Sequence, residues 1–74
     1  MKKVIANKIR ILRFEHDEMT QEQLANETAV TRQTIAAIEN SKYSPTLELA
    51  FKIADIFDRS IGEVFSYERE KDST

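Results

Sequence analysis

An all-α domain of five short helices is predicted by three observations. Apolar residues recur at helical spacing in five separate segments, hydroxyl residues that cap helix starts stand before four of them, and 74 residues without a linker or repeat leave room for one domain. The first helix is expected from Ala6 to about His16, with Ile5, Ile9 and Leu12 at inward spacing and Phe14 near its end, followed by a loop at Asp17 and Glu18. Thr20 opens the second with a capping box to Gln23; Leu24 and Ala25 face inward, and the pattern breaks at Thr28, Ala29 and Val30. Thr31 caps a third helix running to about Asn40, in which Ile35 and Ile38 share a side. After a loop to Pro45, Thr46 caps a fourth helix through about Asp58, with a stripe of Leu49, Ala50, Ile53, Ala54 and Phe57. Ser60 and Glu63 form a second capping box, and the last helix runs from Ile61 to about Phe65.

Both chain ends are ambiguous by periodicity, because Lys2 to Ile5 and Phe65 to Glu68 place apolar groups near alternating positions. Residues 1–68 are expected to form the domain and the charged residues 69–74 a mobile tail.

Composition excludes several function classes. A chain of this size buries only about 60% of its unfolded surface, so a large enclosed catalytic cavity is not expected. There is no cysteine for a disulfide framework or a thiolate metal site, and no apolar run approaches a membrane span or a secretory leader. A soluble cytoplasmic protein without a cofactor or metal is the expectation. His16 is the single histidine and lies beside Asp17 at a helix end. No nucleophile and base arrangement or phosphate-cradling loop accompanies it, so it reads as a surface or capping residue and the chain as no enzyme.

The third helix carries the functional signal. With successive residues about 100° apart, Gln33, Ala36, Ala37 and Asn40 lie almost opposite Ile35 and Ile38. Solvent-facing helices usually carry Glu and Lys, whereas this face is small or amide-bearing. A Gln side chain matches the N6/N7 edge of adenine, and an Ala methyl can touch a thymine methyl. The net charge of −2 argues against attraction of a polyanion, but the charge is unevenly placed. Residues 1–45 hold seven Lys/Arg against six Asp/Glu, and residues 46–74 hold four against seven. Arg32, Lys42 and either Lys8 or Arg10 can face phosphate while the acidic excess stays on the far side.

The segments TQEQLA, VTRQTIAAIE, NSKYSPT, LELAFKIADIF and SIGEVF, spanning Ile9 to Phe65 in order, resemble Cro/lambda-repressor-type (Xre) helix-turn-helix transcriptional regulators, most nearly the small stand-alone repressors of cytolysin operons. The resemblance implies a five-helix lambda-repressor-like DNA-binding domain in which the chain ends pair as a small antiparallel sheet. It implies a homodimer that represses transcription by binding an inverted-repeat operator in double-stranded DNA. By position, Gln21 would contact phosphate, Gln33 would read a base edge, and Arg32 would reach guanine or phosphate. Thr31 would bond phosphate, Thr34 would lie at the margin, and Ala37 would permit close approach. Asn40, Lys42, Tyr43 and Ser44 would hold the adjoining backbone. Ile61, Val64, Phe65 and Tyr67, more apolar surface than one terminal helix needs, would form the dimer contact.

Arg13 and Glu39 resemble the family's internal ion pair and are assigned to structure. The chain departs from the pattern where Ala29 and Ser41 replace turn glycines, where Thr28 replaces an apolar residue, and where the stretch from Arg13 to Gln21 is one residue longer. An alternative function is a protein-binding helical module such as an antitoxin-like partner, favoured by the acidic balance and the apolar C-terminal cluster.

Overall fold

The computed structural model describes residues 3–69. They form β1 (Lys3–Asn7), α1 (Ile9–Glu15), α2 (Gln21–Thr28), α3 (Arg32–Glu39), α4 (Leu47–Ile56), α5 (Ile61–Val64) and β2 (Phe65–Arg69). The expected five helices are present, and the helix starts are made by the expected residues. The Thr20 hydroxyl accepts from the Gln23 N–H at 3.0 Å while the Gln23 side chain accepts from the Thr20 N–H at 2.8 Å. Thr31 and Thr46 accept from the N–H groups of Thr34 and Leu49, each at 3.2 Å. At α5 the Ser60 N–H donates to Glu63 at 2.8 Å, and this bond holds the Glu63 carboxyl below its ordinary range. Each cap satisfies a first-turn backbone group that has no partner within its own helix.

The chain ends pair antiparallel, with Lys3 opposite Arg69, Ile5 opposite Tyr67 and Asn7 opposite Phe65. The first helix therefore begins at Ile9 rather than Ala6. Ala6 and Asn7 stay in the strand because the Asn7 side chain ends it, accepting the Ile9 N–H at 3.1 Å. Ile5, expected on the inward face of that helix, is a half-buried strand residue. Arg69, expected in the mobile tail, is paired in β2; the rest of that tail and Lys2 lie outside the described residues.

The inward positions meet in one core. Ile9 and Leu12 of α1, Leu24 and Ala25 of α2, Ile35 and Ile38 of α3, and Leu49, Ile53 and Ala54 of α4 pack with Met19, Phe57 and Val64. Thr28 is buried among them, and its hydroxyl donates back to the Leu24 carbonyl at 2.8 Å, so the polar atom the sequence places at an apolar position is satisfied.

Three helices end on a left-handed residue that is not glycine: Ala29 with φ 61°, Ser41 with φ 59° and Asp58 with φ 53°. In each case the following N–H reaches back five residues, from Val30 to Ala25, Lys42 to Ala37 and Arg59 to Ala54, at 2.9–3.0 Å. These are Schellman closures, which usually have glycine at the left-handed position. The single glycine, Gly62, lies in α5 instead. The extra residue after α1 is taken up by Asp17 and Glu18, with φ values of 56° and 52°. A left-handed alanine costs about 1–2 kcal/mol, while its replacement by glycine costs about 0.4–1 kcal/mol through the added freedom of the unfolded chain. Ala29→Gly is therefore expected to stabilise the domain by up to about 1 kcal/mol, read as a higher urea midpoint with an unchanged slope. Ser41→Gly should gain less, because the Ser41 hydroxyl donates to the Ile5 carbonyl at 3.0 Å.

Candidate nucleic-acid interface

The surface that α3 leaves open is set by which side of the helix the core consumes. Ile35 and Ile38 are buried, so the opposite side, with Gln33 and Asn40 exposed and Ala36 and Ala37 half-buried, faces outward. Thr31, Arg32, Lys42, Tyr43 and Ser44 are also exposed, before and after the helix, and Thr34 is half-buried at its edge. Among the described residues, neither Arg32 nor Lys42 enters an ion pair, so both charges point at solvent. The Thr31 and Thr34 hydroxyls lie 3.0 Å apart and share one hydrogen bond, which leaves one hydroxyl hydrogen for an outside acceptor.

The helix is held at that angle by a charged clamp. The Arg13 guanidinium spans Glu39, with Nε to Oε2 at 2.7 Å and Nη2 to Oε1 at 3.2 Å, and its Nη1 donates to the Met19 carbonyl at 2.8 Å. The two side chains are 13% and 7% exposed. The pair forms across the loop after α1, which turns through the left-handed residues Asp17 and Glu18. Gln21, expected at phosphate, also joins this clamp: its Nε2 donates to Glu39 Oε1 at 3.2 Å, which leaves its backbone N–H and a second amide hydrogen free. Lys8 and Arg10, either of which was considered for phosphate, are both exposed, and the Lys8 backbone N–H donates to the Val64 carbonyl at 2.9 Å. His16 is an exposed residue at the end of α1 with its ring edge-on to Phe57 at 5.8 Å, in keeping with a capping role.

The C-terminal apolar cluster divides in two. Val64 is 1% exposed and belongs to the core, so it cannot supply an outward contact as expected; a four-residue helix needs one inward anchor, and Val64 is that anchor. Ile61 and Phe65 are half-buried and Tyr67 is 65% exposed; they line an apolar groove together with Ile5, Pro45 and Leu47. The last three come from distant parts of the chain, and sequence periodicity had no means of bringing them to this groove. Leu47 lies in the first turn of α4, off the core stripe, and is 68% exposed. No helix among the described residues is long and apolar enough to cross a membrane.

A profile of the helix-turn-helix family matches residues 11–64, which takes in all five helices but the first two residues of α1. An uncharacterised HTH-type transcriptional regulator of Methanocaldococcus jannaschii is 49% identical over 65 residues, covering 88% of this chain and 97% of that protein. The YgzD regulator of Bacillus subtilis is 44% identical over 64 residues, covering 86% and 96%. The transcriptional repressor RstR of the cryptic phage CTXphi of Vibrio cholerae is 38% identical over 63 residues, covering 85% of this chain and 56% of the repressor. A crystal structure of a Bacteroides fragilis protein shares the fold, with a TM-score of 0.73 at 21% identity over 84% of this chain and 98% of that one. Motif, fold and relatives agree, and the chain belongs to the Xre-type helix-turn-helix family of DNA-binding transcriptional regulators.

Proposed function

We propose that the protein is a sequence-specific repressor that binds an inverted-repeat operator as a homodimer. The observation that carries this reading is the outward face of α3, with its amides exposed and its alanine methyls half-buried, between two cations, Arg32 and Lys42, that enter no ion pair among the described residues. Gln33 reads a base edge, with Arg32 and Ala37 beside it. Thr31, Thr34, Asn40, Lys42, Tyr43, Ser44 and the α2 start at Gln21 hold the phosphates. Two copies joined through the groove of Ile61, Phe65 and Tyr67 set their α3 helices into successive major grooves, about 34–36 Å apart as in helix-turn-helix dimers generally. Occlusion of a promoter then represses transcription, a reading supported by the similarity to the phage repressor.

Selection of bound fragments from random duplex DNA, followed by salt titration, tests this. An enriched inverted repeat with half-sites one duplex turn apart, bound by a species of twice the chain mass in sedimentation, is the expected result. No enrichment at low salt, or binding as a single chain, would overturn it. Lys42→Ala is expected to weaken binding to all sequences alike and to reduce the salt slope by about 1, because it removes one phosphate contact without a base contact.

A further inference from the structure

Asn7 stands where three elements meet. Its Nδ2 donates to the Ile38 carbonyl at 2.8 Å and reaches the Glu39 carbonyl at 3.5 Å, while Oδ1 accepts the Ile9 N–H. One side chain thus serves the first turn of α1, whose N–H groups lack partners within their own helix, and adds a second bond to the Ile38 carbonyl in the last turn of α3, which already accepts the Ser41 N–H at 3.0 Å. Ser41, just past α3, donates to the Ile5 carbonyl on the same strand at 3.0 Å. The strand that receives and makes these bonds is β1, and the Ile5 side chain of β1 lines the apolar groove. The C-terminal end of the recognition helix is therefore fastened to the strand that walls the groove.

We infer that Asn7, assisted by Ser41, is a positioning residue for DNA recognition, fixing α3 to the subunit interface so that the two recognition helices of a dimer keep one separation and tilt. This rests on the dimeric reading above. Gln33 lies near the other end of α3, and Glu39 at the Asn7 end stays held by Arg13, so the contacts within one half-site, including those of Asn40 and Lys42, depend less on the Asn7 bond than the separation of two half-sites does. A full operator depends on it twice, once in each subunit. Rotation of an eight-residue helix, about 12 Å long, about its N-terminal end moves its far end relative to the partner and loosens the register between half-sites.

The test compares Asn7→Ala with the parent on duplexes carrying one half-site and on full operators whose half-site spacing is varied by single base pairs. Measurements are made at a temperature where circular dichroism shows the variant more than about nine-tenths folded. Half-site affinity is expected to stay within about twofold, full-operator affinity to fall by about 10–30-fold, and the preferred spacing to broaden, because binding a full operator must then re-order the loosened end of α3 in each subunit. If Asn7→Ala does not reach that folded fraction, Ser41→Ala, which removes only the exposed bond, should show the same pattern at smaller size. An unchanged spacing profile, or equal losses on half-site and full operator, would overturn the inference while leaving the dimeric repressor intact. A parent protein that selects no inverted repeat would remove the dimeric reading first, and this inference with it.

Discussion

Glu39→Ala is expected to lower the unfolding free energy by about 3–5 kcal/mol, the usual cost of stranding one charge of a buried pair. Glu39 accepts from Arg13 twice and from Gln21 once, and both members of the ion pair are largely removed from water. Alanine would leave the guanidinium with only the Met19 carbonyl as partner. For a domain of this size each kcal/mol corresponds to roughly 4–8 °C in the melting temperature, so a fall of about 12–40 °C should appear in thermal unfolding. The same argument predicts that the pair is replaceable as a unit. Arg13→Met with Glu39→Leu removes both charges together and should recover most of the loss, since apolar residues often stabilise such a site as well as the ion pair does. A single variant as stable as the parent would show that the clamp does not hold the helices together.

That clamp also shows what the sequence could and could not reveal. The Arg13 to Glu39 pairing was legible only through family resemblance, because angular position alone places Glu39 at the edge of α3 without naming its partner. Helix starts at Thr20, Thr31, Thr46 and Ser60 were legible directly, since a cap and its first turn are three residues apart and the physics is local. The inward residues of α2, α3 and α4 were legible for the same reason, through the 3.6-residue period. Contacts between distant residues were not. Asn7 ends a strand because its amide meets a carbonyl 31 residues away, and nothing local distinguishes Ala6 and Asn7 from the start of a helix. The position of Gln21 at a helix start suggests a phosphate donor but does not show that one of its amide hydrogens is committed to Glu39, 18 residues on. Val64 was grouped with its apolar neighbours although one turn of helix can turn only part of that group outward. At Ala29 and Ser41 the departure from turn glycine is legible in the sequence, but the backbone conformation it leaves is not. The backbone keeps the glycine conformation and accepts the Cβ, rather than winding differently.

Gln33→Ala is expected to leave the fold intact and to erase preference at one base pair of each half-site. Gln33 is exposed and, among the described residues, its carboxamide makes no hydrogen bond within the protein, so truncation strands no buried group and stability should change by less than about 0.5 kcal/mol. A paired amide donor and acceptor on adenine is worth about 1–3 kcal/mol of discrimination, or roughly 5- to 150-fold between the right and wrong base. Random-duplex selection with the variant should therefore return the parent's inverted repeat with one symmetric position made degenerate. The salt slope should be unchanged, because no phosphate contact is lost; Lys42→Ala should show the reverse pattern, a smaller slope with every base preference kept. Gln33→Arg offers a positive counterpart, since a guanidinium matches guanine O6 and N7, and it should move the preference at that same position toward guanine. If Gln33→Ala returns the parent's full preference, the exposed amide does not read bases, and specificity must reside in the neighbouring Arg32 or in the shape of the duplex.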